Sequence, residues 1–330
     1  MNKSTPIRIG VLGAAAIVPS ALAIPARGVH EVQILAIAAR DPKRAYVMAK
    51  KHGIPRVHQT YPALLADSDI DAIYNPLPNS LHAQWTIRAL KAGKHVLCEK
   101  PFASNATQAE EMARIARETG LVLSEGFAYR YHPLMARVKE IIASGELGKI
   151  RHIDAQFCFL LPSPSNIRFK YDLAGGALMD CGCYPVSLIR YLAEAEPTVE
   201  QAEARLFAPQ VDRRMSADLS FADGRTAHLV CDMLSPRLFR SSLDITGSDG
   251  SLHVTNPYHP HWFHRLSVRG RNGSRSEQLG NENVYALQLR AFIRAIRGEK
   301  KLNTDSADAV NNMRLIDAIY EKAGLQKRGT

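Results

Sequence analysis

Through the first 126 residues, short β-branched apolar runs alternate with amphipathic segments, and that alternation admits little besides a parallel sheet wound by helices. The strand candidates are residues 7–12, 32–39, 72–75, 95–98 and 121–124. Between them, 42–52, 80–92 and 106–119 carry helical periodicity and open on the cap residues Asp41, Ser80 and Asn105. The pattern predicts a Rossmann-type dinucleotide-binding domain over residues 1–126.

Beyond residue 126 the pattern changes. A helix over 133–143 precedes a long strand over 149–161, a Pro- and Ser-rich loop over 162–166 and a second helical stretch over 177–192. Extended runs between 199 and 269 are punctuated by Asp223-Gly224, Gly247-Ser248-Asp249-Gly250 and Asn256-Pro257, as in an antiparallel sheet. Helices over 283–297 and 306–323 follow. The prediction is an α/β domain followed by an α+β domain, residues 127–330, with an open sheet. An open sheet needs a cover, and a homodimer or homotetramer is the economical one.

Composition narrows the function classes. Hydrophobic residues at 46% and charged residues at 22% fit a globular protein, and no apolar stretch approaches the roughly 18 residues of a membrane helix. The opening Met1-Asn2-Lys3-Ser4-Thr5-Pro6 lacks the apolar core of a signal peptide, so a cytoplasmic protein is expected. Five cysteines in mostly apolar segments suit reduced thiols. Cys181-Gly182-Cys183 lacks C-x-x-C spacing, and the stretch Tyr258-His259-Pro260-His261-Trp262-Phe263-His264 lacks accompanying carboxylates. The first reads as small core-facing residues, the second as a loop or sheet edge with solvated histidines, and no metal is expected. A net charge of +10 favours anionic partners, yet the basic pairs are not interleaved with base-stacking aromatics, so nucleic acid is not expected.

Five segments carry candidate chemistry. Gly13-Ala14-Ala15-Ala16-Ile17-Val18 follows the first strand as a degraded phosphate loop, with Gly13 making the turn and Ala15, Ala16 and Ile17 facing a pyrophosphate. Ala15 is tolerable there if its φ is negative. At the tip of the second strand, Arg40 suits a 2'-phosphate and favours NADP over NAD, while Asp41-Pro42 has the form of a helix cap. Asn75-Pro76-Leu77-Pro78-Asn79-Ser80-Leu81-His82 forms a wall whose Pro76, Asn79 and His82 are expected to face the cofactor. A partly exposed structural histidine at 82 fits nearly as well. Glu99-Lys100-Pro101 then places a lysine and an acid at the carboxyl end of a buried strand, where such sheets bind ligands. Lys100 reads as catalytic, the bland alternative being a solvated turn lysine. In Gly175-Gly176-Ala177-Leu178-Met179-Asp180-Cys181-Gly182-Cys183-Tyr184, a continuous helix would put Asp180 and Tyr184 on one face. A capping aspartate and a half-buried tyrosine explain them equally well, and Pro185 signals a kink or a helix start.

Taken together, these segments and Gly148 resemble the Gfo/Idh/MocA family of NAD(P)-dependent oxidoreductases across nearly the whole chain. The resemblance implies a Rossmann domain, a predominantly antiparallel sheet used in oligomerisation, and Lys100 as the catalytic lysine. It implies Glu99 beside the cofactor, with Asp180 and Tyr184 facing the substrate. Asn166-Ile167-Arg168 is similar to a segment of the family's sugar dehydrogenases and ketoreductases, which makes Arg168 a substrate-binding candidate. Within the family, Ala39-Arg40-Asp41 and residues 127–133 and 176–180 are most similar to NADP-dependent aldose dehydrogenases acting like D-xylose 1-dehydrogenase and to trans-dihydrodiol dehydrogenases. The implied reaction is hydride transfer between NADP and a carbinol carbon of a sugar or cyclic polyol. Two alternatives stand beside it: a sugar-nucleotide ketoreductase and a non-catalytic NADP-binding regulator.

Overall fold

The computed structural model describes residues 5–271 and 273–329; the opening four residues, read above for a signal peptide, lie outside the described residues. The chain divides into two compact units. The first runs through Ala128 and takes in Asn283–Val310; the second holds Tyr129–Glu282 and the chain from Asn311 onward.

In the first unit β1 (Ile7–Leu12), β2 (Val32–Ala38), β3 (Arg56–His58), β4 (Ala72–Asn75), β5 (His95–Cys98) and β6 (Leu123–Glu125) form a parallel sheet in the order β3-β2-β1-β4-β5-β6. The order reverses between β1 and β4, the point at which such sheets open a crevice at their carboxyl edge. Asp41 and Asn105 cap the helices Pro42–His52 and Ala106–Thr119 as predicted, accepting from the Lys43 and Gln108 N–H groups. The helix Asn79–Lys91 starts one residue before Ser80 and has no side-chain cap.

A domain boundary after residue 126 leaves out the return of Asn283–Val310 to this unit. The helix Val284–Ile296 carries Leu289, Phe292 and Ile293 at i, i+3 and i+4, and that stripe is buried with Ile7, Leu22 and Val29. The Glu125 N–H also donates to the Thr304 carbonyl at 2.9 Å, extending the sheet edge beyond β6.

The second unit is built on an eight-stranded sheet of β7 (Ile150–Leu160), β8 (Thr198–Ala208), β9 (Val211–Ser220), β10 (Thr226–Asp232), β11 (Leu234–Gly247), β12 (Ser251–Thr255), β13 (Arg265–Gly270) and β14 (Gly273–Glu277). Its order is β14-β13-β12-β11-β7-β10-β9-β8, and every neighbour pair is antiparallel except β7 with β10. One face is apolar: Ile153, Ala155 and Phe157 of β7 and Leu229 and Cys231 of β10 are buried. The helical stretch expected over 177–192 is a π-turn, Leu178–Gly182, running into the α-helix Cys183–Ala193. Pro185 lacks the N–H that would close on the Cys181 carbonyl, and the wider turn relieves the ring's clash with that carbonyl.

The helix Pro133–Ala143 is capped by His132, whose Nδ1 accepts from the Leu134 N–H at 3.2 Å. Burial, aided by His264 and His261 and opposed by Glu282, pushes the His132 imidazole down to about 4. An unfolded histidine titrates near about 6.5, so below that pH the unfolded chain takes up a proton that the native ring refuses. Stability is therefore lost as the pH falls from about 6.5 towards about 4. His132→Asn keeps a capping side chain and removes the titration, so it should lose less stability than wild type between about pH 7 and about pH 5. Equal losses in the urea midpoints of the two proteins would show that His132 is not the titrating group.

Candidate active site

At the carboxyl edge of the first unit's sheet, the segments after β1, β2, β4 and β5 supply the sequence candidates. Gly13 has φ +88° and donates its N–H to the Ala38 carbonyl at 2.7 Å. A Cβ there would lie 2.9 Å from the Leu77 Cδ2 of the wall, so only glycine fits without displacement. No other residue of the loop 13–17 has positive φ, which is the condition under which Ala15 is tolerable. Ala16 is exposed, Ala15 and Ile17 are half-buried, and Val18 fills core space where a third glycine would stand. The segment that follows is a π-turn, Pro19–Ala23, whose first residue has no N–H to offer an anion. An ordinary α-helix N-terminus does not form there.

Arg40 is exposed beyond β2, while the Asp41 carboxylate is occupied by the Lys43 N–H at 2.9 Å. Arg44, which the sequence reading missed, donates from Nη2 to the Ala14 carbonyl at 3.0 Å and ties the following helix to the phosphate loop. In the wall, Pro76 is buried and Asn79 half-buried. Asn75 is buried and donates to the His82 carbonyl and the Thr86 hydroxyl.

The His82 side chain is enclosed between two carbonyls. Its ring is 1% exposed, with Nδ1 2.8 Å from the Pro101 carbonyl and Nε2 2.7 Å from the Leu77 carbonyl. It braces the wall against the loop after β5, a structural role as in the alternative above but buried instead of partly exposed. Glu99 accepts from the Tyr74 hydroxyl at 2.7 Å, and burial raises its carboxyl above the usual range. Lys100 is half-buried and precedes Pro101 through a cis peptide.

The second unit holds the other three candidates. Arg168, on the turn Ile167–Phe169, places Nε 2.8 Å from Asp180 Oδ1. The Asp180 charge holds the Arg168 guanidinium above its ordinary pKa, and the Tyr184 phenol acts on it in the same direction. The structure thus brings Arg168, Asp180 and Tyr184 together, with Asp180 in the π-turn and Tyr184 in the first turn of the α-helix.

Tyr184 is half-buried within an aromatic ring of side chains. Phe157 meets it edge-on at 5.3 Å, and Tyr258, Tyr129 and His259 lie at 5.4, 6.0 and 6.1 Å between centroids. The histidine-rich stretch is a loop, but its histidines are not fully solvated: His259 and His261 are half-buried. His264 is buried, bonded to the Pro260 carbonyl and the Leu279 N–H, and His259 stacks on Trp262 at 4.5 Å. Aromatic neighbours 4–5 Å apart compete with water for an imidazole, and residue spacing alone carries no sign of that. Cys181 and Cys183 are buried, each with its thiol on a local carbonyl. Among the described residues no helix is long and apolar enough to cross a membrane.

Comparison with known proteins agrees with this layout. Residues 7–127 match the oxidoreductase family with an NAD-binding Rossmann fold, and residues 135–253 match the GFO/IDH/MocA C-terminal domain. The chain is 37% identical to D-xylose 1-dehydrogenase (NADP(+)) 2 of Haloferax volcanii, covering 95% of this chain and 96% of that one. It is 34% identical to a dTDP-3,4-didehydro-2,6-dideoxy-alpha-D-glucose 3-reductase of Streptomyces violaceoruber, covering 97% and 96%. A 3-ketoreductase from Actinomadura kijaniata, solved with NADP and TDP-benzene, superposes with a TM-score of 0.90 at 31% identity over 96% of this chain and 98% of that one. With both halves matched and the sheet order of each unit in place, the chain belongs to the GFO/IDH/MocA family of oxidoreductases.

Proposed function

We propose that this protein is an NADP-dependent dehydrogenase acting on a carbinol carbon of a sugar or cyclic polyol, in the manner of an aldose 1-dehydrogenase. The observation that carries the reading is the cluster of Arg168, Asp180 and Tyr184, a phenol beside an ion pair at 2.8 Å inside an aromatic surround. A pure binding module has no use for a proton-transfer group so placed.

The first unit's residues fit the cofactor: a phosphate loop with no room for a side chain at Gly13, accessible Ala15 and Ala16, and an exposed Arg40. NADP, when bound, supplies the hydride acceptor at nicotinamide C4. Tyr184 takes the hydroxyl proton as the carbinol carbon gives up its hydride. A phenol does this near neutral pH only if adjacent positive charge lowers its pKa from about 10. Arg168 supplies such charge within the second unit, and Lys100 is assigned the second cation and the hydrogen bond to the reacting oxygen. Asp180 holds Arg168 in place.

Arg40 replaces the carboxylate that an NAD-selective chain uses at this position, and its planar guanidinium matches a 2'-phosphate. Arg40→Ala should raise KM for NADP by roughly tenfold or more, with little change for NAD. An unchanged preference between the two would remove Arg40 from cofactor selection.

The close superposition on a 3-ketoreductase favours a second reading, reduction of a keto group on a nucleotide-linked sugar. Nicotinamide absorbance separates the two. NADP reduction by an aldose or cyclic diol supports the first reading, whereas NADPH oxidation by a dTDP-linked keto sugar, with no aldose turned over, supports the second.

A second copy of the chain is the proposed cover of the open sheet face. Strand register puts Arg240, Arg214 and Arg205 in one transverse row with Cys158 and Asp232, and Asp244, Asp154, His228 and Asp218 in another. Four residues, about 13 Å, separate the rows along β7. A copy turned about an axis parallel to the rows sets arginines against aspartates. Light scattering should find a homodimer or homotetramer that Arg214→Glu with Arg240→Glu splits; a monomeric wild type would refute this cover.

A further inference from the structure

Arg328 lies in the segment after the helix Ser306–Lys322, where an arginine is ordinarily solvated. Here it is fully buried in the second unit, and so is the carboxylate it meets, Asp212 of β9. The guanidinium is used on every edge. Nε donates to the Gly175 carbonyl at 2.7 Å, Nη1 to the Gln326 carbonyl at 2.9 Å and Nη2 to Asp212 Oδ1 at 2.8 Å. Its face lies 4.0 Å from the Tyr320 ring centroid. Asp212 Oδ1 also accepts from the Tyr320 hydroxyl at 2.9 Å, and Oδ2 from the Leu178 N–H at 2.7 Å.

One ion pair therefore grips both ends of the short segment from Gly175 to Leu178, immediately before Asp180. The glycine pair makes this approach feasible. A Cβ on Gly176 would lie 2.1 Å from Asp212 Oδ1 and 3.0 Å from Arg328 Nη2. On the other side, a Cβ on Gly175 would lie 2.5 Å from the Arg168 carbonyl. Through that contact the Gly175 and Gly176 N–H groups bond to the carbonyls of Lys170 and Arg168. The same four residues thus connect the buried pair to the loop bearing Arg168 and to the turn bearing Asp180.

We propose that Arg328 and Asp212 are positioning residues for the active site: through the Gly175 carbonyl and the Leu178 N–H they set the placement of Arg168, Asp180 and Tyr184. The proposal rests on the reaction assigned above. A guanidinium is required because its fork reaches a carboxylate and a carbonyl in fixed, divergent directions, which the point charge of a lysine does not.

The test uses the full chain carrying Arg328→Lys, which keeps a cation for Asp212, and Tyr320→Phe, which keeps the pair and removes one donor. Hydrogen exchange at the amides of residues 175–180 should accelerate roughly tenfold or more in Arg328→Lys and less in Tyr320→Phe. Turnover should fall roughly tenfold to a hundredfold in Arg328→Lys while KM for NADP stays as in wild type. Tyr320→Phe carries the test if Arg328→Lys does not fold. Unchanged exchange at these amides overturns the proposal, as does faster exchange with undiminished turnover, which would make the network merely structural. If wild type turns over no sugar, polyol or keto sugar, the reaction assignment fails. The exchange data then still decide whether the buried pair holds the segment.

Discussion

Lys100→Ala and Tyr184→Phe should each lower turnover by roughly 10²–10⁴-fold, with binding of NADPH by fluorescence changed by no more than about twofold. The tyrosine variant removes only an oxygen. Its ring keeps its edge-on contact with Phe157 at 5.3 Å and its neighbours Tyr258 and His259, so the aromatic packing is preserved while the proton-transfer group is lost. The lysine variant removes a cation from the carboxyl end of β5 without touching the Tyr74 to Glu99 hydrogen bond beside it. A fall in kcat at unchanged cofactor affinity is the signature of an interaction made in the transition state. Wild-type turnover in either variant would take that residue out of the mechanism and pass the proton to another group.

Asp212→Ala should cost about 3–5 kcal/mol of stability, because it strands a buried guanidinium. Arg328 and Asp212 are both 0% exposed, so water cannot replace the lost partner without opening the core. The Leu178 N–H and the Tyr320 hydroxyl lose their acceptor in the same substitution. Burial raises the Asp212 carboxyl above its usual range while Arg328 pulls it back, as expected where desolvation and pairing oppose each other. Thermal denaturation should show a fall in Tm on the order of 10 °C. A loss below about 1 kcal/mol would mean that the pair contributes little beyond a hydrophobic replacement.

The first unit was legible because its determinants are local. Strands buried on both faces read as short continuous apolar runs, and β1, β4 and β5 fall on the residues read from sequence. Asp41 and Asn105 declare helix starts by side-chain chemistry within three residues. Gly13 declares a turn that no other residue makes without strain. The short β3, with no periodicity over three residues, was not legible.

What failed was burial of polar groups. His82 and His264 both looked available for solvent or ligand, and both are packed against carbonyls supplied by other segments. Sequence spacing also gave no sign that Asp180 pairs with Arg168, on the loop before the glycine pair. The sequence alone determined the helix-wound nucleotide fold, the antiparallel second sheet and the segments that bear the chemistry, because period, capping and turn residues act over a few positions. Only the tertiary structure decided which polar side chains are spent internally and what holds the Gly175-Gly176 turn. Asp212 and Arg328 stand 116 residues apart, and no local preference records that a folded core will bring them together and shut out water.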